Sequence, residues 1–304
     1  MAESETQKNT SVTESTDQQK TEQVGRSQWA EAWRRLKRNK SAMVGLFLVA
    51  LLFVTAIFAD VIAPYDYAEQ NYDAVRESPS SEFLLGTDHL GRCILSRIIH
   101  GTRLSIQVGF IAIAISLVSG SLLGAIAGYF GHLVDNVVMR VVDIILSIPP
   151  ILLAIAIVSA IGPSLTNLFI AVGIGFIPQF ARIVRGSVLT LKEEEFVEAA
   201  QALGAKNSRI IVKHIIPNAL APIIVQATLG VAMAILSAAG LSFIGLGAQP
   251  PAPEWGAMLS DGMRFIRDSW WISTFPGLAI ALTILGLNLF GDGLRDALDP
   301  RLKD

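Results

Sequence analysis

Residues 190–218 read TLKEEEFVEAAQALGAKNSRIIVKHIIPN, the longest strongly polar interruption in the second half of an otherwise apolar chain. Thr190 and Glu193 have the spacing of a capping box, and Glu193, Glu194 and Glu195 crowd a first turn, where carboxylates suit the positive end of the helix dipole. The pattern predicts a helix starting here. Phe196, Ala199, Ala200 and Leu203 follow on one helical face, and Gly204 supplies the residue that most readily takes the left-handed conformation ending a helix. Asn207 or Ser208 can cap a second short helix holding Ile210, Ile211, Lys213 and Ile215, which Pro217, lacking an N–H, is expected to close. Such a helix, glycine turn and helix is too short and too charged to cross a bilayer.

Of the 304 residues, 52% are hydrophobic and 16% charged, against about 25% charged in soluble domains. The mean hydropathy is +0.51. These values point to a membrane protein. The net charge is −2, and no basic stripe interleaved with aromatics speaks for nucleic acid. A single cysteine, Cys93, excludes an intrachain disulfide or a thiolate metal cluster made by this chain alone, and no metal or cofactor is expected. No Gly-x-x-x-x-Gly-Lys-Ser/Thr loop occurs, so the chain does not cradle ATP phosphates in the P-loop manner.

Working outward from the loop, the chain divides as follows. Residues 1–25 are polar and are expected to form a disordered cytoplasmic tail, because they cannot offset their ordering entropy. Residues 26–40 are expected to form an amphipathic interfacial helix, with Trp29, Trp33 and Leu36 on one face and Arg34, Arg35, Lys37, Arg38 and Lys40 clustered toward its end. An apolar span follows at once, which argues against a nucleic-acid patch. Residues 41–63 form a first membrane helix, retained rather than cleaved because a long polar leader precedes it and no small-x-small signal follows before Asp60. An acidic external loop, 64–103, leads to a five-helix core, 104–297, and residues 298–304 end the chain as a cytoplasmic tail.

Within the core, Ser116, Gly120, Gly124 and Gly128 recur every four residues on the second span, a strip of bare backbone suited to close helix packing. The third span, from about 134 to 161, carries Arg140 and Asp143 on one face, expected to pair locally and snorkel. Pro149 and Pro150 should kink it mid-membrane and are gate candidates. The fourth span returns inward from Asn167 to about Ile183, and the fifth, Ala219 to Leu241, has Ala227, Gly230, Ala234 and Ala238 as a small-residue face. A Pro/Gly-rich external loop, 245–271, ends in paired tryptophans expected at the interface, and the sixth span runs from Ile272 to Leu289 before a short polar tail. With both termini inside, 18 Lys and Arg fall on the inner side and 6 on the outer, which places the 190–218 loop in the cytoplasm.

Two stretches carry a resemblance. Glu198-Ala199-Ala200, three residues, Gly204, then Ile215-Ile216-Pro217-Asn218 resembles the EAA loop of the membrane subunits of binding-protein-dependent ABC importers. The general pattern has Ile at the position of His214 and Leu at that of Ile216; the peptide-permease branch carries a similar His-Ile-Leu-Pro-Asn. Residues 84–105, LLGTDHLGRCILSRIIHGTRLS, resemble a second signature, one confined to the dipeptide, oligopeptide and nickel permease branch. Gly86 and Gly91 punctuate turns there, and a short interfacial helix is expected after them. Cys93 stands where that branch usually has Asp, so no charge role is carried over to it. The 245–271 loop looks like the external loop of peptide permeases that meets the substrate-binding protein.

The resemblance implies an all-α polytopic protein of six transmembrane helices with the type I ABC importer permease fold. It implies a C-type permease subunit in the cytoplasmic membrane, both termini cytoplasmic, forming half of a pore. Its partners would be a second homologous permease subunit, two ATP-binding subunits, an external substrate-binding protein and the lipid bilayer. Phe196, Glu198, Ala199, Ala200, Leu203, Gly204, Ala205 and Pro217 would then couple the pore to the ATPases. The small alanines would allow close docking, Glu198 would offer a charge to a groove edge, and Gly204 would fix the angle between the two short helices. ATP hydrolysis would belong to the partner subunits, and the substrate would be a di- or oligopeptide, with a nickel chelate as the alternative. An ion-coupled secondary transporter fits less well, since Asp143 is its only candidate mid-membrane acid. An intramembrane enzyme lacks a His-Glu-x-x-His pair or a partner for Asp292.

Overall fold

A computed structural model describes residues 28–298; the polar leader and the last residues of the tail lie outside the described residues. The described chain is helical apart from turns and one isolated bridge between Thr87 and Cys93. Helix α1 (Gln28–Arg38) leads into α2 (Lys40–Ile57), whose start is fixed by Asn39, its Oδ1 accepting from Ala42 N at 3.2 Å. Trp33 does not share the face of Leu36. Ala32 and Leu36 are buried against Ala297 and Ala42, whereas Trp33 is 47% exposed with Lys37 Nζ 5.1 Å from its ring centre.

Phe58 separates α2 from a single turn, α3 (Ala59–Ile62). The expected short interfacial helix before the second span is not a separate element. It forms the first turns of α4 (Ile94–Phe130), 37 residues without a break, where the bare backbone of Gly101 lets the Trp255 indole and the Pro253 carbonyl press against the helix. The third span is broken outright: α5 (His132–Leu146) and α6 (Pro150–Ile161) meet at 87°. Two successive prolines leave two missing N–H donors, and Pro149 takes an extended conformation as the N-cap of α6. Ile148, Pro149 and Pro150 are all exposed at this elbow.

Helix α7 (Leu165–Leu191) runs about two turns past the expected end near Ile183. A short helix α8 (Glu195–Ala202) and a turn α9 (Asn207–Ile210) follow, then a π-helical turn at Ile211–Ile215, α10 (Ile216–Asn218) and the fifth span α11 (Leu220–Phe243). The second external loop contains its own helix, α12 (Trp255–Met263), capped by Glu254, whose carboxylate accepts from Ala257 N at 2.8 Å. Burial pushes the Glu254 carboxyl up from its ordinary pKa, against the lowering effect of the backbone N–H groups it caps. The last helix, α13 (Trp271–Leu298), absorbs most of the expected polar tail. Among the described residues five helices are long and apolar enough to cross a membrane, or six if the bent α5–α6 pair is counted as one span.

The glycine strip on α4 has a partner, and it is α7. A Cβ at Gly120 would lie 2.6 Å from the Ile177 carbonyl oxygen, one at Gly128 2.9 Å from Val188 Cβ, and one at Gly124 would run into the Ala181 carbonyl. Ser116 extends the strip, its hydroxyl 2.6 Å from the Gly173 carbonyl across the interface. Around this contact Val108, Ala112 and Ile113 of α4 and Leu168, Val172 and Phe180 of α7 form the main core. Ala154 and Val158 of α6 and Val231, Ala234 and Ala238 of α11 complete it. Gly45 of α2 and Gly286 of α13 make a similar contact, each lacking room for a Cβ.

Side-chain charges sit at the ends of the spans. Asp143 pairs with Arg182 of α7 at 2.7 Å instead of with Arg140, and Asp135 pairs with Arg185 at 2.5 Å. Arg182 and Arg185, one turn apart on α7, both lie beside α5. At the opposite end of the bundle the two long loops form one platform. Trp271, expected at the interface, is buried there and donates from Nε1 to the Thr87 carbonyl at 3.2 Å, while Trp270 is 50% exposed. Trp255 Nε1 donates to the Ile98 carbonyl at 3.0 Å. Arg97 donates to the Tyr67 and Pro251 carbonyls, beside a buried Asp88–Arg92 pair at 2.6 Å. Cys93 is buried with Ala74 and Phe83. Asp60 is held below the ordinary carboxylate range by hydrogen bonds from Arg103, which also reaches the Ala56 and Ile57 carbonyls at the end of α2.

If the α4–α7 contact carries the fold, Gly124→Leu will destabilise the protein by roughly the 1–3 kcal/mol of an overpacked core. Gly240→Ala, at a helical glycine with nothing within 4 Å of a Cβ, will leave stability unchanged. Thermal unfolding of the two detergent-solubilised variants provides the measurement, and equal midpoints would contradict the assignment.

Candidate functional site

The polar loop between α7 and α11 is built differently from its sequence pattern in three places. Thr190 does not cap a helix. It lies in the last turn of α7, its hydroxyl turned toward the Gly186 carbonyl at 3.4 Å, and the chain makes a turn through Lys192 and Glu193 before α8 begins behind Glu194. Since α7 is already helical at Thr190, the extended backbone that a capping box needs is not available. Neither Asn207 nor Ser208 caps the second helix, whose N-cap is Lys206; Asn207 Oδ1 instead accepts from the Tyr129 hydroxyl at 3.1 Å.

Pro217 does not close the second helix. The π-helical turn just before it, with the Ile216 N–H reaching back to the Ile211 carbonyl, shifts the hydrogen-bond register so that the proline ring is accommodated at the start of the next turn. Asn218 Nδ2 donates to the His214 carbonyl at 2.6 Å, and the chain continues almost directly into the fifth span.

Gly204 behaves as its sequence implies. Its φ is +75°, and the Gly204 N–H to Gln201 carbonyl bond (2.9 Å) together with the Ala205 N–H to Ala200 carbonyl bond (3.0 Å) forms a Schellman motif. No atom lies within 4 Å of a Cβ at this position, so the demand for glycine comes from the backbone conformation and not from crowding.

Helix α8 has two faces. Val197 is fully buried, and with Ile210, Ile215, Ala219 and Ile223 it packs on Ala125 of α4 and Val184 and Val188 of α7. Ala200 and Ala205 are partly buried against the same cluster. Ala200 therefore does not belong to the outer face on which the sequence pattern groups it. Phe196 (39% exposed), Ala199 and Leu203 (89% exposed) remain outside, three and four residues apart and so on one stripe. Glu198 is exposed beside the stripe, without an ion pair among the described residues. Pro217 is exposed some distance along the chain and adds nothing to that face.

The resulting arrangement is a short helix anchored through one buried valine to the ends of three spans, with its opposite face open among the described residues. Pattern reading missed the anchors Val197 and Tyr129. Val197 is the one β-branched residue of the 195–202 helix, and its place one residue after the apolar Phe196 was the available signal. Glycine packing at residues 120, 124 and 128 and the proline elbow at 149 and 150 lie outside this loop and belong to the bundle.

Known proteins resemble this chain along most of its length. The family described as "Binding-protein-dependent transport system inner membrane component" matches residues 120–304, and "N-terminal TM domain of oligopeptide transport permease C" matches residues 27–79. The chain is 54% identical over 277 residues to the dipeptide transport system permease protein DppC of Alkalihalophilus pseudofirmus, covering 91% of each chain. It is 51% identical to DppC of Escherichia coli, covering 90% of this chain and 93% of that one. It is 44% identical to the glutathione transport system permease protein GsiD of Pectobacterium atrosepticum, covering 91% and 93%. Among solved structures, a chain of the inward-facing MetNI methionine ABC transporter superposes with a TM-score of 0.54 at 19% identity, over 68% of this chain and 98% of that one, and so shares its type I permease fold. A permease-like bundle with an open-faced helix at one end, matched along nearly all its length by such relatives, belongs to the family of inner-membrane components of binding-protein-dependent transport systems.

Proposed function

We propose that the chain is one of two permease subunits of an ATP-driven peptide importer, and that α8 is the element through which separate ATPase subunits move it. The observation that carries the proposal is the two-sided α8: Val197 roots it in α4 and α7, while Phe196, Ala199 and Leu203 face outward with nothing among the described residues to cover them. A short helix packed on one side transmits displacement as a rigid body. Its outer stripe is small in the middle and apolar at both ends, which suits a groove on another protein. Glu198 supplies a charge at the edge of that contact, and Gly204 with its Schellman bonds sets the angle between α8 and α9.

A second permease chain, two ATP-binding subunits and an external substrate-binding protein complete the assembly. The substrate class follows the relatives, two of which are dipeptide permeases and one a glutathione permease; glutathione is itself a tripeptide. Both termini and the 190–218 loop face the cytoplasm, a reading supported by the excess of Lys and Arg on that side. The elbow at Pro149 and Pro150, with α5 attached to α7 through the Asp135–Arg185 and Asp143–Arg182 pairs, is the part of the bundle suited to gating.

Three outcomes follow. Ser208→Cys will react with a membrane-impermeant maleimide in inside-out vesicles and not in right-side-out ones, against low background from the buried Cys93; the reverse labelling would refute the orientation. Leu203→Asp will leave insertion and thermal stability unchanged but reduce ATP-dependent uptake of a labelled dipeptide by about tenfold or more, as expected for a central apolar contact worth roughly 2 kcal/mol. Normal uptake would remove α8 from the coupling path. Gly204→Val must hold a β-branched residue near φ +75°, at a cost of about 1–2 kcal/mol, and will uncouple ATP hydrolysis from uptake while the chain still inserts.

A further inference from the structure

A cleft of about 300 Å³ lies between α1 and the end of α13, remote in sequence from the coupling loop and independent of its reading. Its size is at the lower end of small-molecule sites, roughly 300–1,000 Å³. Glu31, Arg34, Arg35, Arg38, Asn39 and Asp296 line it. Two of these contacts are internal: Arg35 is bonded to Glu31 at 2.8 Å, and Asn39 Nδ2 reaches Asp296 at 3.5 Å. Arg34 and Arg38, four residues apart on one helix face, have no ion pair among the described residues. Among the described residues lining the cleft, three guanidinium groups stand against two carboxylates, and the Arg34–Arg38 side carries the excess positive charge.

The arginines are presented by a fixed element and not by a loose tail. Ala32 and Leu36, 7% and 3% exposed, hold α1 against α13, and Gly293 packs directly on Ala42. Arg38 immediately precedes Asn39, the cap of α2, so the cleft opens at the depth where the first span enters the bilayer. Trp33, nearly half exposed beside Lys37, is the residue type that settles among lipid headgroups. The first turns of α2 then expose Met43, Val44 and Phe47. A soluble anion meets only the arginines, whereas a phospholipid at this depth meets the arginines with its headgroup and lays its acyl chains beside this apolar run. The planar fork of arginine suits two oxygens of one phosphate.

We propose that this cleft is a headgroup site for an anionic phospholipid, with the phosphodiester held between Arg34 and Arg38 and the acyl chains lying along the start of α2. The site ties a specific lipid to the junction between the N-terminal helix and the last span. Bound lipid stabilises that junction by mass action, since it is absent from the unfolded chain.

The test uses the intact complex purified in a neutral detergent and titrated separately with phosphatidylglycerol, phosphatidylcholine and inorganic phosphate. Thermal unfolding and native mass spectrometry of retained lipid are read. Phosphatidylglycerol is expected to raise the unfolding midpoint and to survive as a retained adduct; phosphatidylcholine and inorganic phosphate are expected to do neither. Arg34→Gln with Arg38→Gln should reduce the retained phosphatidylglycerol about tenfold, and Arg34→Lys with Arg38→Lys by less, because charge remains but the bidentate fork is lost. Equal retention of phosphatidylcholine, or a shift produced equally by inorganic phosphate, would overturn the proposal. So would unchanged retention in the double glutamine variant. Should that variant fail to insert, Arg34→Gln alone decides the matter: reduced retention supports the site and unchanged retention overturns it.

Discussion

Two apolar helices in hydrocarbon gain little by hiding their side chains from each other, so what holds them is close fit and whatever polar contact the fit allows. Here that constraint is met between α4 and α7. Glycines at 120, 124 and 128 bring α4 onto the backbone of α7, and the closeness puts the Ser116 hydroxyl within bonding distance of the Gly173 carbonyl. Every other span packs against this pair or against a helix that does. A methyl added at any of these glycines would have to push the helices apart or strain them, loosening the core that Ile113, Phe180 and Val231 complete.

The same closeness fixes both ends of the bundle. At one end the cluster of Ala125, Val184 and Val188 exists only because α4 and α7 end side by side, and that cluster is the seat for Val197. A displacement of α8 is therefore a displacement of the two helices at the centre of the fold. At the other end α4 projects beyond the core, and its first turns receive Trp255 and Arg97's carbonyl partners from two separate loops. The buried Asp88 there is paired directly with Arg92, as the cost of desolvation requires.

Between these fixed ends, α5 is the least committed element. Only Val142 of its residues is buried, and two ion pairs, one toward each end of the helix, attach it to α7. The proline elbow frees it from the line of α6. This elbow and these few attachments are the geometry on which the proposed gating role rests.

Much of this was legible in the sequence. Apolar runs of membrane length gave the spans, the four-residue repeat of small side chains marked a packing face, and Gly204 marked the end of α8, because each depends on local properties of consecutive residues: hydropathy, side-chain size and permitted φ. Local pattern could not say that the strip on α4 meets α7, that Asp143 pairs with Arg182, or that Trp271 is buried under Thr87, since those facts depend on residues far apart in the chain. Thr190, Asn207 and Pro217 show the limit most clearly. Each has the right chemistry to cap or end a helix, yet tertiary packing extends α7 through Thr190, hands Asn207 to Tyr129, and absorbs Pro217 in a π-helical turn. Sequence thus determined which segments are helical and apolar, while only the packed structure decided where helices stop, which faces meet, and that Val197 turns inward so that Phe196 and Leu203 must turn out.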